Sequence, residues 1–357
     1  MSALARNERL TIGIALIATL LSGILTVAHA GAVLLFAISG VALATLAALV
    51  GQATERLGER LGPGATGVLQ SAIGNLPELF VGIFALRAGL VTVVQAALVG
   101  SILGNSLLVL GLAFLVGGLR HGTQRFAAET PRMIAVLTLL AVGALTVPTL
   151  AKGLHAPAGA HIGGLSVACA IILLIVFVAS IPSSLAGGPA GVTEPEGTGH
   201  ETGQTWPLRL AIGLLLLAGI GALFVSDWFV AALGPAIETL HISEAFTGLV
   251  IVAIAGNAVE NVVGIQLAAR NKPDYALSVI LNSSLQVALG LIPALVLLSY
   301  VIGGMHLTLV LPGLLVAALG LTAIVTAVVV YDGESTWLEG VALLGLYGII
   351  AAAFWWG

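Results

Sequence analysis

Two short motifs carry the residues best suited to chemistry, because each puts a glutamate inside an apolar stretch. The first motif reads Gly-Asn-Leu-Pro-Glu at residues 74–78, within the apolar segment 66–86. A carboxylate at the centre of a membrane helix costs about 2.5–3.5 kcal/mol on insertion scales, so Glu78 needs a partner there. Asn75 lies three residues before it and shares its helix face. The glycine and proline of the motif favour a helix break with free carbonyl oxygens, and together these groups indicate a cation site.

The second motif repeats the first. Gly-Asn-Ala-Val-Glu at residues 256–260 has the same Gly-Asn-x-x-Glu spacing. We call the separation in sequence between Gly74 and Gly256 the repeat offset. It also relates Asn257 and Glu260 to the asparagine and glutamate of the first motif, and Ser283 to Ser101, so each serine follows its own glutamate at the same distance. Matches at one offset indicate a duplicated unit rather than a chance pattern.

The segments that follow the two motifs are also polar near their middles. Ser101 and Asn105 are one helical turn apart, and Asn282 and Gln286 have the same spacing. Their side chains could hydrogen-bond the carboxylates or an ion, or they could join helices without touching an ion, and both interpretations stay open. Hard oxygen ligands with no His or Cys beside them suit Ca²⁺ more than a soft transition metal. The candidate metal-binding residues are Glu78, Glu260, Asn75, Asn257, Ser101, Asn105, Ser283 and Gln286.

Composition places these motifs in a membrane. Hydrophobic residues make up 59% of the 357 residues and charged residues only 8%, which excludes the soluble globular classes. The single cysteine, Cys169, excludes an intramolecular disulfide. The expected fold class is an all-α polytopic membrane protein with about eleven transmembrane helices. The predicted spans are 10–28, 31–50, 65–87, 91–117, 131–150, 161–181, 208–226, 244–269, 273–299, 306–330 and 336–355. Residues 227–240 either extend the seventh span or form a separate re-entrant or interfacial piece.

Positive charge sets the predicted orientation. With the N-terminus inside, ten of the twelve Lys and Arg residues fall on the inner side, and only Arg87 and Lys152 fall outside. The positive-inside rule then puts the N-terminus in the cytoplasm and the C-terminus outside. Few lysines and much Ala and Gly favour a prokaryotic plasma (inner) membrane.

The spans group into two halves. We expect one N-terminal transmembrane helix (1–30), a first five-helix repeat (31–182), a flexible acidic linker (183–206) and a second five-helix repeat (207–357). An odd number of helices per repeat inverts the second repeat relative to the first. Interrupted helices of inverted repeats meet at the membrane midplane in secondary transporters, so we expect both motif glutamates there.

On these motifs the chain resembles the Ca²⁺/H⁺ antiporters, the cation exchanger branch of the Ca²⁺/cation antiporter superfamily. Residues 74–79 resemble the family's Gly-Asn-Ala-x-Glu-Leu-type motif, and residues 256–261 resemble its Gly-Asn-Ala-Ala-Glu-His motif. Residues 100–105 and 282–286 resemble the helices that follow. The resemblance covers nearly the whole chain. It implies that Glu78 and the second glutamate are the central ion- and proton-binding carboxylates, with the neighbouring Asn, Ser and Gln residues in support.

The expected function is secondary active transport that exchanges Ca²⁺, or a similar divalent cation, for H⁺. Each carboxylate would hold a proton or a share of the Ca²⁺ in alternation. No enzymatic activity, cofactor or nucleic-acid partner is expected; the partners are Ca²⁺, H⁺ and the lipid bilayer, and the oligomeric state is left open. The alternative is a Na⁺-coupled Ca²⁺ exchanger, because Leu-Pro-Glu at residues 76–78 resembles the sodium/calcium exchangers. A cation channel and a non-transporting scaffold are further alternatives.

Overall fold

A computed structural model describes the backbone of residues 6–61, 73–186 and 206–356, so that most of the linker expected at 183–206 lies outside it. The described backbone is almost entirely helical because the chain is a series of apolar runs. Its helices are α1 (Arg6–Val27), α2 (Ala32–Leu61), α3 (Leu76–Arg87), α4 (Val91–His121), α5 (Glu129–Gly153), α6 (Ile162–Ala186), α7 (Leu208–Leu240), α8 (Glu244–Gly256), α9 (Ala258–Ala269), α10 (Pro273–Ser299), α11 (Gly313–Val329) and α12 (Trp337–Trp355). Two short strands, β1 (Gln124–Arg125) and β2 (Glu334–Ser335), pair antiparallel.

The helices confirm an all-α polytopic membrane protein. Within the described ranges, eight helices are long and apolar enough to cross a membrane, or nine if the bent pair α8 and α9 is counted as one span. Helix α11 is apolar but shorter. The total of eleven spans stays a prediction, because residues 62–72 lie outside the description.

Two predicted boundaries are decided by the structure. Residues 227–240 continue α7 as one helix to Leu240, with Pro235 inside it. The alternative prediction, a separate re-entrant or interfacial segment, is therefore wrong. The span predicted to begin at residue 306 becomes helical only at Gly313, just after Pro312. Residues 307–311 are instead non-helical and largely buried. Their backbone groups pair with the side chains of Gln95, Thr149, Ser166 and Ser299. Such pairing is what a non-helical segment needs at membrane depth.

The chain divides into two compact units. The first consists of Met1–Phe84 and Val178–His241, and the second of Ala85–Phe177 and Ile242–Gly357. In the first unit, α1 and α7 both pack on α2, and the rings of Phe36 and Phe229 stack at 4.8 Å. Glu8 accepts from Arg56 at 2.9 Å and from the Trp206 indole at 3.0 Å, which joins α1 to α2 and to the start of α7.

In the second unit, glycines let α4 lie close to two other helices. A Cβ atom on Gly100 would lie 2.6 Å from Leu249 Cα of α8, and one on Gly248 would lie 2.8 Å from Ala96 Cβ. Further along α4, Gly111 lies against Gly340 of α12 in the same way. Small residues at helix crossings are the usual way to bring membrane helices into contact.

The helices that follow the two motifs have matching ends. The repeat offset separates both ends of α9 from those of α3, and the start of α10 from that of α4. Gly89 and Asn271, related by the same offset, both have positive φ angles and follow the ends of α3 and α9. Both α4 and α10 contain a π-helical segment, Gly104–Val109 and Val287–Leu291, and the last residues of the two segments correspond as well. The repeat offset therefore reappears in the backbone, while the exact repeat boundaries stay a prediction.

Candidate ion-binding site

Both motif asparagines lie in turns directly before a helix, and in the second motif the turn interrupts a helical run. Asn75 lies in a turn immediately before α3, and Asn257 lies in a turn between α8 and α9. The axes of Glu244–Gly256 and Asn261–Ala269 differ by 64°. The backbone at Asn257, with φ −95° and ψ 21°, has left the helical region, which interrupts the regular hydrogen-bond ladder at that point.

The two motifs share the glycine and the asparagine, but only the first has the proline from which a break was predicted. Pro77 is the second residue of α3, where the missing N–H removes no helical hydrogen bond. Val259 is the second residue of α9, and that helix begins after a break all the same. Proline therefore suits the first break without being required for it.

Each motif glutamate is the third residue of the helix that follows its break. Glu78 lies in the first turn of α3 and is half-buried. Glu260 has the equivalent backbone position in α9, and its side chain lies outside what the structure describes. The positive end of the helix dipole favours an ionised carboxylate in the first turn, by about 0.3–1 kcal/mol.

A buried polar cluster surrounds Asn257, which is only 2% exposed. Its Nδ2 donates to Ser101 Oγ at 2.7 Å and to the Ala253 carbonyl at 2.9 Å. Its Oδ1 accepts from Asn105 Nδ2 at 3.2 Å and from Ser283 Oγ at 3.4 Å. Asn105 Nδ2 also donates to Ser283 Oγ at 2.9 Å. The structure therefore brings together four of the eight predicted residues, from α4, α10 and the turn before α9.

The Ala253 carbonyl fixes the direction of every bond in this cluster. A carbonyl oxygen only accepts, so the Asn257 atom facing it is Nδ2 and the other amide atom is Oδ1. Asn105 must then turn its own Nδ2 toward Asn257. Asn105 Oδ1 is left buried, and it accepts no hydrogen bond from the described residues. A buried carbonyl oxygen of this kind can accept a hydrogen bond or coordinate a hard cation.

The remaining predicted residues are described by their positions in the helices. Asn75 and Glu78 belong to the first unit and are half-buried at the break before α3. Gln286 is half-buried on α10, at the start of the π-helical segment. Among the residues that the structure describes, Asn282, which the sequence paired with Gln286, donates from Nδ2 to Ser278 Oγ at 3.3 Å and has no hydrogen bond to the cluster.

Sequence reasoning missed a second polar contact beside the cluster. Ser106 and Ser284 are fully buried, and their hydroxyl oxygens lie 3.0 Å apart. Each follows directly after a residue of the cluster, Asn105 or Ser283. The repeat offset does not relate the two serines to each other, so the available signal was a hydroxyl residue next to each polar motif position.

Comparison with known proteins identifies the family. The family model described as sodium/calcium exchanger protein matches residues 31–184 and 210–356. A Ca²⁺/H⁺ antiporter of Synechocystis is 36% identical over 342 residues, covering 91% of each chain. The Ca²⁺/H⁺ antiporter ChaA of Bacillus subtilis is 35% identical over 340 residues, covering 94% of this chain and 95% of that protein.

A solved structure agrees with these relatives. Native YfkE superimposes with a TM-score of 0.82 at 31% identity, over 97% of this chain and 99% of that one. The chain therefore belongs to the sodium/calcium exchanger protein family, and its resemblance to the Ca²⁺/H⁺ antiporters, predicted from the two motifs, is confirmed.

Proposed function

We propose that the protein exchanges Ca²⁺, or a similar divalent cation, for H⁺ across the membrane. The observation that carries the proposal is the buried cluster around Asn257, because it places oxygen-bearing side chains at the helix break one turn before Glu260. Amide and hydroxyl oxygens, together with the carboxylates of the two motifs, are ligand types that suit a hard cation. The relatives named Ca²⁺/H⁺ antiporter support the same exchange.

In this proposal Glu78 and Glu260 carry both ions in alternation. The helix dipole offsets about 0.3–1 kcal/mol of the cost of an ionised first-turn carboxylate. This stabilisation is smaller than the cost of a charge at the centre of a membrane helix, which is about 2.5–3.5 kcal/mol. Binding either a proton or a divalent cation removes the remaining cost. Since a carboxylate cannot hold both at once, binding of one ion releases the other, and this competition couples the two fluxes.

The neutral residues supply the remaining ligands in the proposal. Asn105 Oδ1 is the strongest candidate of the cluster, because the other amide atoms there are already engaged with one another. Asn75 and Gln286 are proposed as supporting oxygen ligands from their motif positions. Asn257, Ser101 and Ser283 then act mainly by fixing the direction in which Asn105 presents its oxygen.

The proposed location is a prokaryotic plasma membrane with the N-terminus in the cytoplasm. The Lys and Arg bias of the loops supports this orientation. Ca²⁺ would then leave the cytoplasm as protons enter, driven by an inward proton gradient.

Coupling to Na⁺ is the second candidate, favoured by Leu76 and Pro77 and by the description of the matching family model. Protons suit the site better, since two carboxylates can take up two protons without further ligands. Na⁺ needs several oxygens per ion, and beyond the two glutamates the motif segments offer only neutral groups.

The test is Ca²⁺ accumulation by the purified protein in sealed vesicles at matched membrane potential. An acid lumen alone is expected to drive Ca²⁺ uptake against its gradient, and a Na⁺ gradient alone is not. Vesicles without protein, and vesicles whose pH gradient has been collapsed by an ionophore, are the controls. Uptake that follows the Na⁺ gradient and ignores pH would establish the second candidate instead.

A further inference from the structure

The far end of α9, the helix that begins beside Asn257, is held by a buried side chain from β1, the short strand that follows α4. Gln124 is 3% exposed. Its Nε2 donates to the Ala268 carbonyl at 3.0 Å and to Asn271 Oδ1 at 2.9 Å. We propose that Gln124 is a positioning residue for ion binding, which acts by fixing the helix that carries Glu260. The proposal rests on the proposed function.

The geometry of this contact leaves Gln124 one orientation. The Ala268 carbonyl only accepts, so Nε2 must face α9 and Oε1 must face away. On that side a Cβ atom added to Gly117 would lie 2.8 Å from Gln124 Cδ, so the absence of a side chain at Gly117 makes room for the amide. Gln124 is therefore built into the packing between α4 and α9.

Helix α9 is attached to α4 at both of its ends. At its start, Asn257 bonds Ser101 and Asn105 of α4. At its finish, Gln124 is joined by His121, whose Nε2 lies 3.0 Å from the Ala269 carbonyl. A helix of twelve residues is about 18 Å long and moves as a stiff rod. A displacement of the C-terminal end of α9 therefore also displaces its first turn, where Glu260 lies.

The equivalent end of α3 is held in a different way. The Leu86 carbonyl, which the repeat offset relates to that of Ala268, accepts from the backbone N–H of Met305 at 3.3 Å. Gly304 packs against the same turn, with a Cβ atom there 3.0 Å from Arg87 Cα. At these two equivalent carbonyl oxygens the first motif helix is held by main chain and the second by the Gln124 side chain, so a single substitution can remove only the second of these two contacts.

Gln95 provides a matched control. It lies on α4 and is likewise a buried glutamine that donates two hydrogen bonds to carbonyl oxygens, those of Thr308 at 3.1 Å and Val310 at 3.0 Å. These bonds hold the non-helical segment 307–311 and do not involve α9. Gln124→Ala and Gln95→Ala therefore lose the same kind of bonds, and only Gln124→Ala loosens α9.

The experiment measures Ca²⁺ transport and amide hydrogen exchange on both variants of the full chain. Gln124→Ala is expected to raise the KM for Ca²⁺ about tenfold, from the loss of two hydrogen bonds, with Vmax within about twofold of wild type. Exchange of the amides of residues 268–272 is expected to become faster. Gln95→Ala is expected to change neither. Equal changes in KM in the two variants, or unchanged exchange at α9 in Gln124→Ala, would overturn the proposal.

A second variant removes only the side-chain link. Asn271 has φ 59°, a conformation that glycine adopts readily and that Gly89 adopts at the equivalent position. Asn271→Gly therefore keeps the backbone while Gln124 loses one acceptor, and a KM increase of about threefold is expected. Should Gln124→Ala fold poorly, Asn271→Gly carries the test. If wild type shows no Ca²⁺/H⁺ exchange, the proposed function fails, whereas hydrogen exchange still decides whether Gln124 holds α9.

Discussion

Asn257 illustrates why the motif uses asparagine. Its amide donates on one side, to Ser101 and the Ala253 carbonyl, and accepts on the other, from Asn105 and Ser283. Aspartate has the same shape but no donor, so it would set an oxygen against the Ala253 carbonyl. A hydrophobic residue would leave several buried groups unpaired. Only a side chain with both a donor and an acceptor satisfies both sides of the break.

Asn257→Ala is therefore expected to lower both stability and Ca²⁺ transport. The substitution removes hydrogen-bond partners from Asn105 and Ser101, which are both buried. This loss is expected to lower the free energy of unfolding by about 1–3 kcal/mol. Thermal unfolding in detergent and the KM for Ca²⁺ measure the two effects. Asn282→Ala is the control, because Asn282 makes one long contact outside the cluster. A KM for Ca²⁺ that is unchanged in Asn257→Ala would contradict a role of the cluster in ion binding.

Glu78→Gln and Glu260→Gln are each expected to abolish coupled exchange and leave the protein folded. Glutamine keeps the size of the side chain but can neither release a proton nor bind Ca²⁺ with a full negative charge. Elution as a single species on size exclusion checks folding, and pH-driven Ca²⁺ uptake checks function. Exchange close to that of wild type in either variant would rule out a site that needs both glutamates.

The sequence predicted which residue types form the site, but not which faces of the helices point toward one another. The glycine and proline of the first motif predicted a break there, and the repeat extended the expectation of an interrupted helix to the second motif, which has no proline. The repeat offset from Ser101 singled out Ser283, which does face the cluster, but only packing decides which residues of neighbouring helices meet there. The direction of the Asn105 amide also depends on the Ala253 carbonyl, a backbone group with no sequence signature.

At the scale of helices, the crossing of α4 and α8 positions the cluster. Gly100, directly before Ser101, lies against the backbone of Leu249, and Gly248 lies against α4 in turn. Two facing glycines bring the helix backbones close together. The crossing therefore sets how far Ser101 is from Asn257, which directly follows the helix that contains Gly248.

Gly100→Ala is expected to destabilise the protein and to weaken transport. The added Cβ atom would lie 2.6 Å from Leu249 Cα, and backbone cannot move aside as a flexible side chain can. Overpacking of this kind costs about 1–3 kcal/mol. Gly104→Ala is the control one turn further along α4, where a Cβ atom meets nothing within 4 Å. A melting temperature equally affected in both variants would contradict the close crossing.

The hydrophobic runs predicted where helices form. They could not predict where a helix departs from regular α-helical geometry. The π-helical segments Gly104–Val109 and Val287–Leu291 lie inside apolar sequence that would also form a regular α-helix. The non-helical segment 307–311 was predicted as helix, since its apolar residues fit a membrane span. It is stable because Gln95 and three hydroxyl side chains from other helices pair with its backbone, which is a tertiary effect.

For the whole molecule, the repeat offset is the property that sequence and backbone share most clearly. It relates the two motifs, the ends of α3 and α9, and the last residues of the π-helical segments. It also relates the loops after α4 and α10, where Gly122 and Gly304 both have positive φ angles. If the repeats are inverted in the membrane, these two corresponding loops must lie on opposite sides of it.

Single cysteines at corresponding positions of the two loops test this inversion. Thr123 and Met305 are related by the repeat offset and both exposed, and Cys169→Ala removes the natural thiol. The Lys and Arg bias puts Thr123 inside and Met305 outside. In intact cells, a membrane-impermeant maleimide is therefore expected to label Met305→Cys at once, and Thr123→Cys only after permeabilisation. Because the positions correspond, an even number of spans between them places both on one side. Labelling of both from outside would thus exclude inverted repeats.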